Sequence, residues 1–435
     1  MLKRLSLVAL FTGSAQLTTL FALKYLGGSM DAGRLSALGE IDSLLNLIIS
    51  LIALGLLMSS VRDIAISKDW GQEMDRAQAA RLTLSLCLLP AAAWSWYNQD
   101  YRIFLFAPVF ALNADYALYG RSYPVLAAVI AFCRVLLPYL AVLIAASQHY
   151  AHTINVFLLS SVGVYLASGL FIARFLGRPY FQRPSLKSLH LYWQSLDLGV
   201  ASLSYYFIGL GLIPIAVYFY NDRVIATAYV GCKVYMIFKG VLRIISQSFI
   251  KEMVSTGVQL QVDRLAGFAG FLFLAAVLFY PATFQKLFLS KALEFDRNML
   301  ITLALAGLVS ALLLSYANRA ILEKKDRLYS IITGSASIAS IGFCIILSFF
   351  LPSAESVFIA IFVGELLSVL GLVRVFHARE ELLLRARIWL KYILLAALPF
   401  GVKMVLGDSY IGFLAGSGLM GAAFVLVFYK RLRLQ

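Results

Sequence analysis

The stretch ITLALAGLVSALLL (301–314) carries no charge and does not alternate apolar with polar positions. A strand with one face in lipid repeats with a period of two, whereas a helix in lipid is apolar all round. The run therefore reads as the middle of a membrane-spanning α-helix, and a β-barrel is excluded. The same pattern recurs outward in both directions, and about fourteen stretches approach the roughly 20 residues that cross a bilayer. They lie near 4–27, 36–60, 80–97, 102–119, 122–146 and 152–176, then 196–220, 224–247, 265–289, 298–320, 328–350 and 354–376, with a last pair at 389–407 and 410–429. A chain of 435 residues that is 61% hydrophobic and 14% charged has too little polar surface to cover a soluble globule. The expected class is an all-α polytopic membrane protein.

Lys and Arg alternate from connector to connector. Counted from an N-terminus on the inside, about 26 of the 37 basic residues fall on inner segments and about six on outer ones. Both termini are thus expected in the cytoplasm. The net charge of +15 is topogenic charge facing anionic membrane lipids and calls for no nucleic acid. Cys87, Cys133, Cys232 and Cys344 all fall within spans, which implies no disulfide framework. The chain opens like a signal peptide, with Lys3 and Arg4 before an apolar run, but the run is too long and no small-x-small site follows, so it reads as a retained first helix. Trp94, Trp96, Tyr97, Trp193 and Trp389 stand where polar loops meet lipid and read as interface anchors.

The connector RFLGRPYFQRPSLKSLHLYWQ (174–194) holds two prolines and four basic residues. It divides the chain into an N-lobe at 1–176, a cytoplasmic linker at 177–195 that is expected to be partly an interfacial amphipathic helix, a C-lobe at 196–376 and a C-terminal helix pair at 377–435. A shift of 192 residues matches Gly39 to Gly231, a faint echo between two six-helix halves, and paired halves are a common transporter plan.

An ionisable side chain at the bilayer centre costs about 2.5–3.5 kcal/mol on insertion scales, so each is a candidate for function. Arg134 lies deep in its span and is expected either to line a polar path or to pair internally. Lys233 is deeper than Lys239 and Arg243, which share a face near the cytoplasmic end. Lys24 and Lys403 sit nearer the outer surface. Among acids, Glu365, Glu40, Asp42 and Asp115 are candidates to bind a coupling ion or to pair with these cations, and Glu40 and Asp42 point apart on their helix. In the span 196–220, Gly209, Gly211 and Pro214 weaken the helix and mark a hinge.

Nothing points to an enzyme, a metal or a cofactor. There is no glycine-rich phosphate loop, and the histidines are His149, His152, His190 and His377, of which only the first two share a loop.

Three segments carry a family resemblance: ALGEIDSLLNLIISLIALGLLMSSVRDIAIS (37–67), ALNADYALYGRSYPVLAAVIAFCRVLLPYL (111–140) and ATAYVGCKVYMIFKGVLRIISQSFIKEMV (226–254). The chain resembles the polysaccharide-flippase branch, O-antigen type, of the multidrug/oligosaccharidyl-lipid/polysaccharide (MOP) exporter superfamily. That resemblance implies two six-helix lobes in a V-shaped, MATE-like arrangement plus a helix pair. It implies ion-coupled alternating access in a bacterial inner membrane, moving a polyprenyl-diphosphate-linked glycan from the cytoplasmic to the outer leaflet. It further implies that Arg134 and Lys233, with Lys24 behind them, meet the diphosphate, and that a polysaccharide polymerase and chain-length proteins are partners. Two other functions compete: a cation-coupled multidrug exporter of the same fold, and a membrane glycan polymerase or acyltransferase. Buried cations count against the first and the short outer connectors against the second.

Overall fold

Lipid offers no partner to a backbone N–H or C=O, so each apolar stretch must satisfy its own hydrogen bonds as helix. The computed structural model describes residues 2–249, 256–290, 293, 295–312, 314–376 and 379–432; His377 and the end of the 226–254 segment lie outside them. Among the described residues the regular structure is all helical, with no strand. Among the described residues ten helices are long and apolar enough to cross a membrane, or up to twelve if each of two bent pairs is one span. The chain is a multi-pass membrane protein. Two further stretches of the about fourteen expected, 4–27 and 80–97, are not among these helices. Both are helical, but the second continues a helix that carries Glu73, Asp75, Arg76 and Arg81, and it tightens into a 3-10 turn over Leu89–Trp96.

The chain packs as two compact units, Met1–Ala226 and Thr227–Gln435. In the first, α1 (Leu2–Ser29) lies along α7, α2 (Ala32–Ala53) is followed by α3 (Leu56–Ile66) and α4 (Trp70–Leu88), and a span over Gln99–Gly120 is built from a 3-10 turn, α5 (Ala107–Ala111) and α6 (Asp115–Gly120). Next come α7 (Pro124–Ser147), α8 (Thr153–Phe175), α9 (His190–Gln194), α10 (Leu196–Phe207) and α11 (Ile213–Ala216). The sequence division put 196–220 in the trailing lobe; by packing, α10 and α11 belong with α2 in the first unit. Tyr206 Oη donates to the Ser43 carbonyl and Tyr192 Oη to the Ile52 carbonyl, each at 2.7 Å, which ties that segment to α2.

The linker is partly helical: residues 186–194 form a 3-10 turn and α9, while 178–185 follow an irregular path. Arg178 and Gln182 bind Asp75, and Ser185 N–H donates to Thr83 Oγ1 at 2.9 Å, so the segment is strapped along α4.

The second unit holds most of α12 (Asp222–Phe249), then α13 (Thr256–Phe279), α14 (Pro281–Phe288), α15 (Arg297–Leu312), α16 (Leu314–Leu322), α17 (Asp326–Phe350), α18 (Ala354–Val375), α19 (Arg379–Leu395), α20 (Ala397–Leu406) and α21 (Tyr410–Leu432). Helices in lipid gain little from burying apolar surface and associate by close packing of small residues. Gly231 illustrates this. A Cβ there would fall 2.2 Å from Phe358 Cζ, so the ring sits in the notch that the glycine leaves. Trp389, expected as an anchor, packs partly buried beside Ile388, Tyr392 and Phe424, whereas Trp94, Trp96 and Trp193 are exposed.

Candidate functional site

In the first unit the polar side chains gather around an interruption. Residues 112–114 leave the helical path between α5 and α6, and two arginines converge there. Arg134, only 7% exposed, donates from Nη2 to Asn113 Oδ1, from Nη1 to Asp115 Oδ2 at 3.2 Å and from Nε to Ser168 Oγ at 2.9 Å. Its guanidinium lies 4.8 Å from the Tyr165 ring centroid. Arg81, buried on α4, donates to the Asn113 carbonyl at 2.6 Å and faces the Tyr116 ring. A planar five-donor group is suited to closing a helix break, because it satisfies carbonyl, amide and carboxylate together. Asp115 is a quarter exposed and is the acid of this pair. Asp42 is buried on α2, accepting from Tyr139 Oη at 3.2 Å and Asn46 Nδ2 at 3.2 Å.

Glu40 faces elsewhere, as its two-residue offset from Asp42 requires. It is 4% exposed and accepts from Asn98 Nδ2 at 2.5 Å, while Asn98 Oδ1 accepts the N–H of Asp100, itself 8% exposed. Asn98 thus bridges two buried carboxyl-bearing residues. Among the described residues neither carboxylate has a basic group within 4.0 Å. Lys24 is half-buried on α1.

In the second unit the structure brings two of the candidates together. Lys239 Nζ lies 2.6 Å from Glu365 Oε1, and Tyr235 Oη donates to the same oxygen. A candidate cation for substrate and a candidate acid for ion coupling therefore form one pair, with Glu365 buried and Lys239 partly so. Lys233 is apart from them, half-buried, with its ammonium 5.6 Å from the Tyr229 ring centroid.

A further buried pair was missed by the sequence reading. Asp263 Oδ2 accepts from Arg385 Nε at 2.7 Å and from Ser315 Oγ at 2.7 Å, and its Oδ1 takes the Ser315 N–H. Sequence reading places residues 263 and 385 in basic connectors; in the structure Asp263 falls within the helical stretch Gly257–Phe279, long and apolar enough to cross a membrane, and Arg385 opens another, Arg385–Leu406. The signal was present as an acid beside Arg264 at the edge of an apolar run. Arg81 escaped notice for the same reason. Among the described residues no three His, Cys, Asp or Glu side chains are grouped to hold a metal.

No family model matches the sequence, and no curated protein matches it. Solved structures do. A lipid II flippase, MurJ, in an inward closed conformation superposes with a TM-score of 0.73 at 13% identity, covering 98% of this chain and 100% of that one. A multidrug resistance MATE family transporter of the MOP superfamily, inward-facing, gives 0.58 at 16% identity over 84% and 96%. The eukaryotic MATE transporter AtDTX14 gives 0.54 at 13% over 89% and 98%. At these identities the likeness establishes architecture: the chain has the fold that the lipid II flippase and MATE transporter structures share.

Proposed function

We propose that the protein is a transporter that flips a polyprenyl-diphosphate-linked oligosaccharide, the repeat unit of a surface polysaccharide, to the outer leaflet of a bacterial inner membrane. Both termini lie in the cytoplasm, transport is by alternating access, and a polysaccharide polymerase with its chain-length proteins takes up the product. One observation carries this reading: the likeness to a lipid II flippase runs the full length of both chains, while that to the inward-facing MATE transporter covers 84% of this one. Lys233 and Lys24, half-buried, supply charge for a diphosphate. Within the first unit Arg134 fixes the 112–114 interruption, and its partners there make it an organiser of that polar cluster. Lys239 and Glu365 form a pair that an H⁺ or Na⁺ would have to open.

The buried Glu40 and Asp100 favour a second reading, a cation-coupled exporter of cationic drugs, since buried carboxylates with no ion-pair partner within 4.0 Å among the described residues suit protons and cations. Proteoliposomes separate the two. Purified protein should move a fluorescent polyprenyl-diphosphate disaccharide between leaflets and leave ethidium undisturbed under an H⁺ or Na⁺ gradient. Gradient-driven ethidium transport with a static lipid would replace the first reading by the second.

A further inference from the structure

In the first unit the backbone leaves the helical path beside both ends of the short helix α10. Between α2 and α3, Leu54 sits at φ 15°, ψ 59° and Gly55 at φ 83°, ψ −26°, a left-handed conformation that favours glycine. Beyond α10 the chain passes through Ile208 and Gly209 before restarting as a 3-10 turn at Leu210–Leu212 and then α11, with a bend of 72°.

The start of α10 bears on the break after α2 without slack, and its far end reaches α2 through Tyr206. A Cβ on Gly55 would fall 2.3 Å from the Ser195 carbonyl oxygen and 2.9 Å from Gly199 N, and a Cβ on Gly199 would fall 2.7 Å from the Leu54 carbonyl oxygen. This is backbone against backbone, and no side-chain rotation can absorb a displacement there. Tyr192 Oη, just before α10, holds the Ile52 carbonyl in the last turn of α2, where the break leaves carbonyls without helical partners. At the far end Tyr206 does two things at once. Its hydroxyl holds the Ser43 carbonyl at 2.7 Å, and its ring lies 2.6 Å from where a Cβ on Gly211 would be. Beside the first break lies a cavity of about 70 Å³, lined in part by Leu56, Ser59, Ser60, Gln194 and Ser195. It leaves room for the Gly55 segment to shift.

We propose that the two breaks are a single coupled hinge, with α10 as a stiff strut that carries movement at Gly55 to residues 208–212 and back. A helix of twelve residues is about 18 Å long, so the two breaks communicate across half a bilayer through one element. Coupling of this kind needs an element rigid enough to carry a shift between the two sites, and close contact near each end of α10 lets it do so.

Hydrogen–deuterium exchange on the full chain in nanodiscs tests this. Gly55→Ala introduces a Cβ at the first break only. It should speed exchange at least tenfold at 208–213 as well as at 54–57, with α7 and α8 unchanged. Acceleration confined to 54–57 would make the breaks independent and overturn the proposal. If Gly55→Ala does not fold, Tyr206→Phe decides, since it removes one hydroxyl and no volume. It should raise exchange at both breaks, and a rise at one alone, or at neither, overturns the hinge.

Discussion

Arg134 was legible in the sequence as a charge too deep to snorkel, but its partners were not. Asn113 and Ser168 are ordinary residues in apolar runs, and only the fold sets them around one guanidinium. Arg134→Ala should abolish glycan flipping and also lower thermal stability, because it strips the interruption of its donors. Arg134→Lys should recover stability in part and activity poorly, since an ammonium cannot reach three acceptors in a plane. Lys233→Ala should behave differently, leaving the melting temperature within a degree or two while weakening binding of the diphosphate lipid. A matched loss of stability would make Lys233 structural. For the missed pair, Asp263→Ala leaves Arg385 buried without its carboxylate and should cost about 3–5 kcal/mol, whereas Asp263→Leu with Arg385→Met should cost far less. Thermal unfolding in detergent measures both.

Among elements, the helices themselves were readable because lipid imposes long apolar runs, and the weakening expected at Gly209, Gly211 and Pro214 falls at the 72° bend. The break at Gly55 was hidden. Glycine is frequent in membrane helices and sits there inside LIALGLLM (51–58), where nothing polar marks a change of direction. The linker is helical only in its second half: residues 186–194 coil, whereas Arg178 and Ser185 find partners on α4 and hold 178–185 out of the helical path. Pro214 lies at the start of α11, where its missing N–H costs nothing. Pro214→Ala should therefore leave expression intact and slow flipping by making the bend less abrupt. Unchanged flux would reduce the bend to a fixed feature.

For the whole molecule, hydropathy and charge alternation gave the class, and the resemblance carried by 37–67, 111–140 and 226–254 gave the architecture now seen against the lipid II flippase and MATE transporter structures. Division into units was less accessible, since apolar helices look alike in sequence and only packing assigns 196–220 to the first unit. Each unit keeps its own buried polar centre, Arg134 with Asp115 in one and Lys239 with Glu365 in the other. The central claim is that the chain carries a lipid-linked glycan across the membrane. Its most direct test is depletion of the protein in its native cell, followed by measurement of the leaflet in which the polyprenyl-diphosphate-linked saccharide accumulates. The account predicts a rise in intermediate confined to the cytoplasmic leaflet with surface glycan lost. Unchanged surface glycan and no accumulation, with cationic dye retained in the depleted cells, would contradict it.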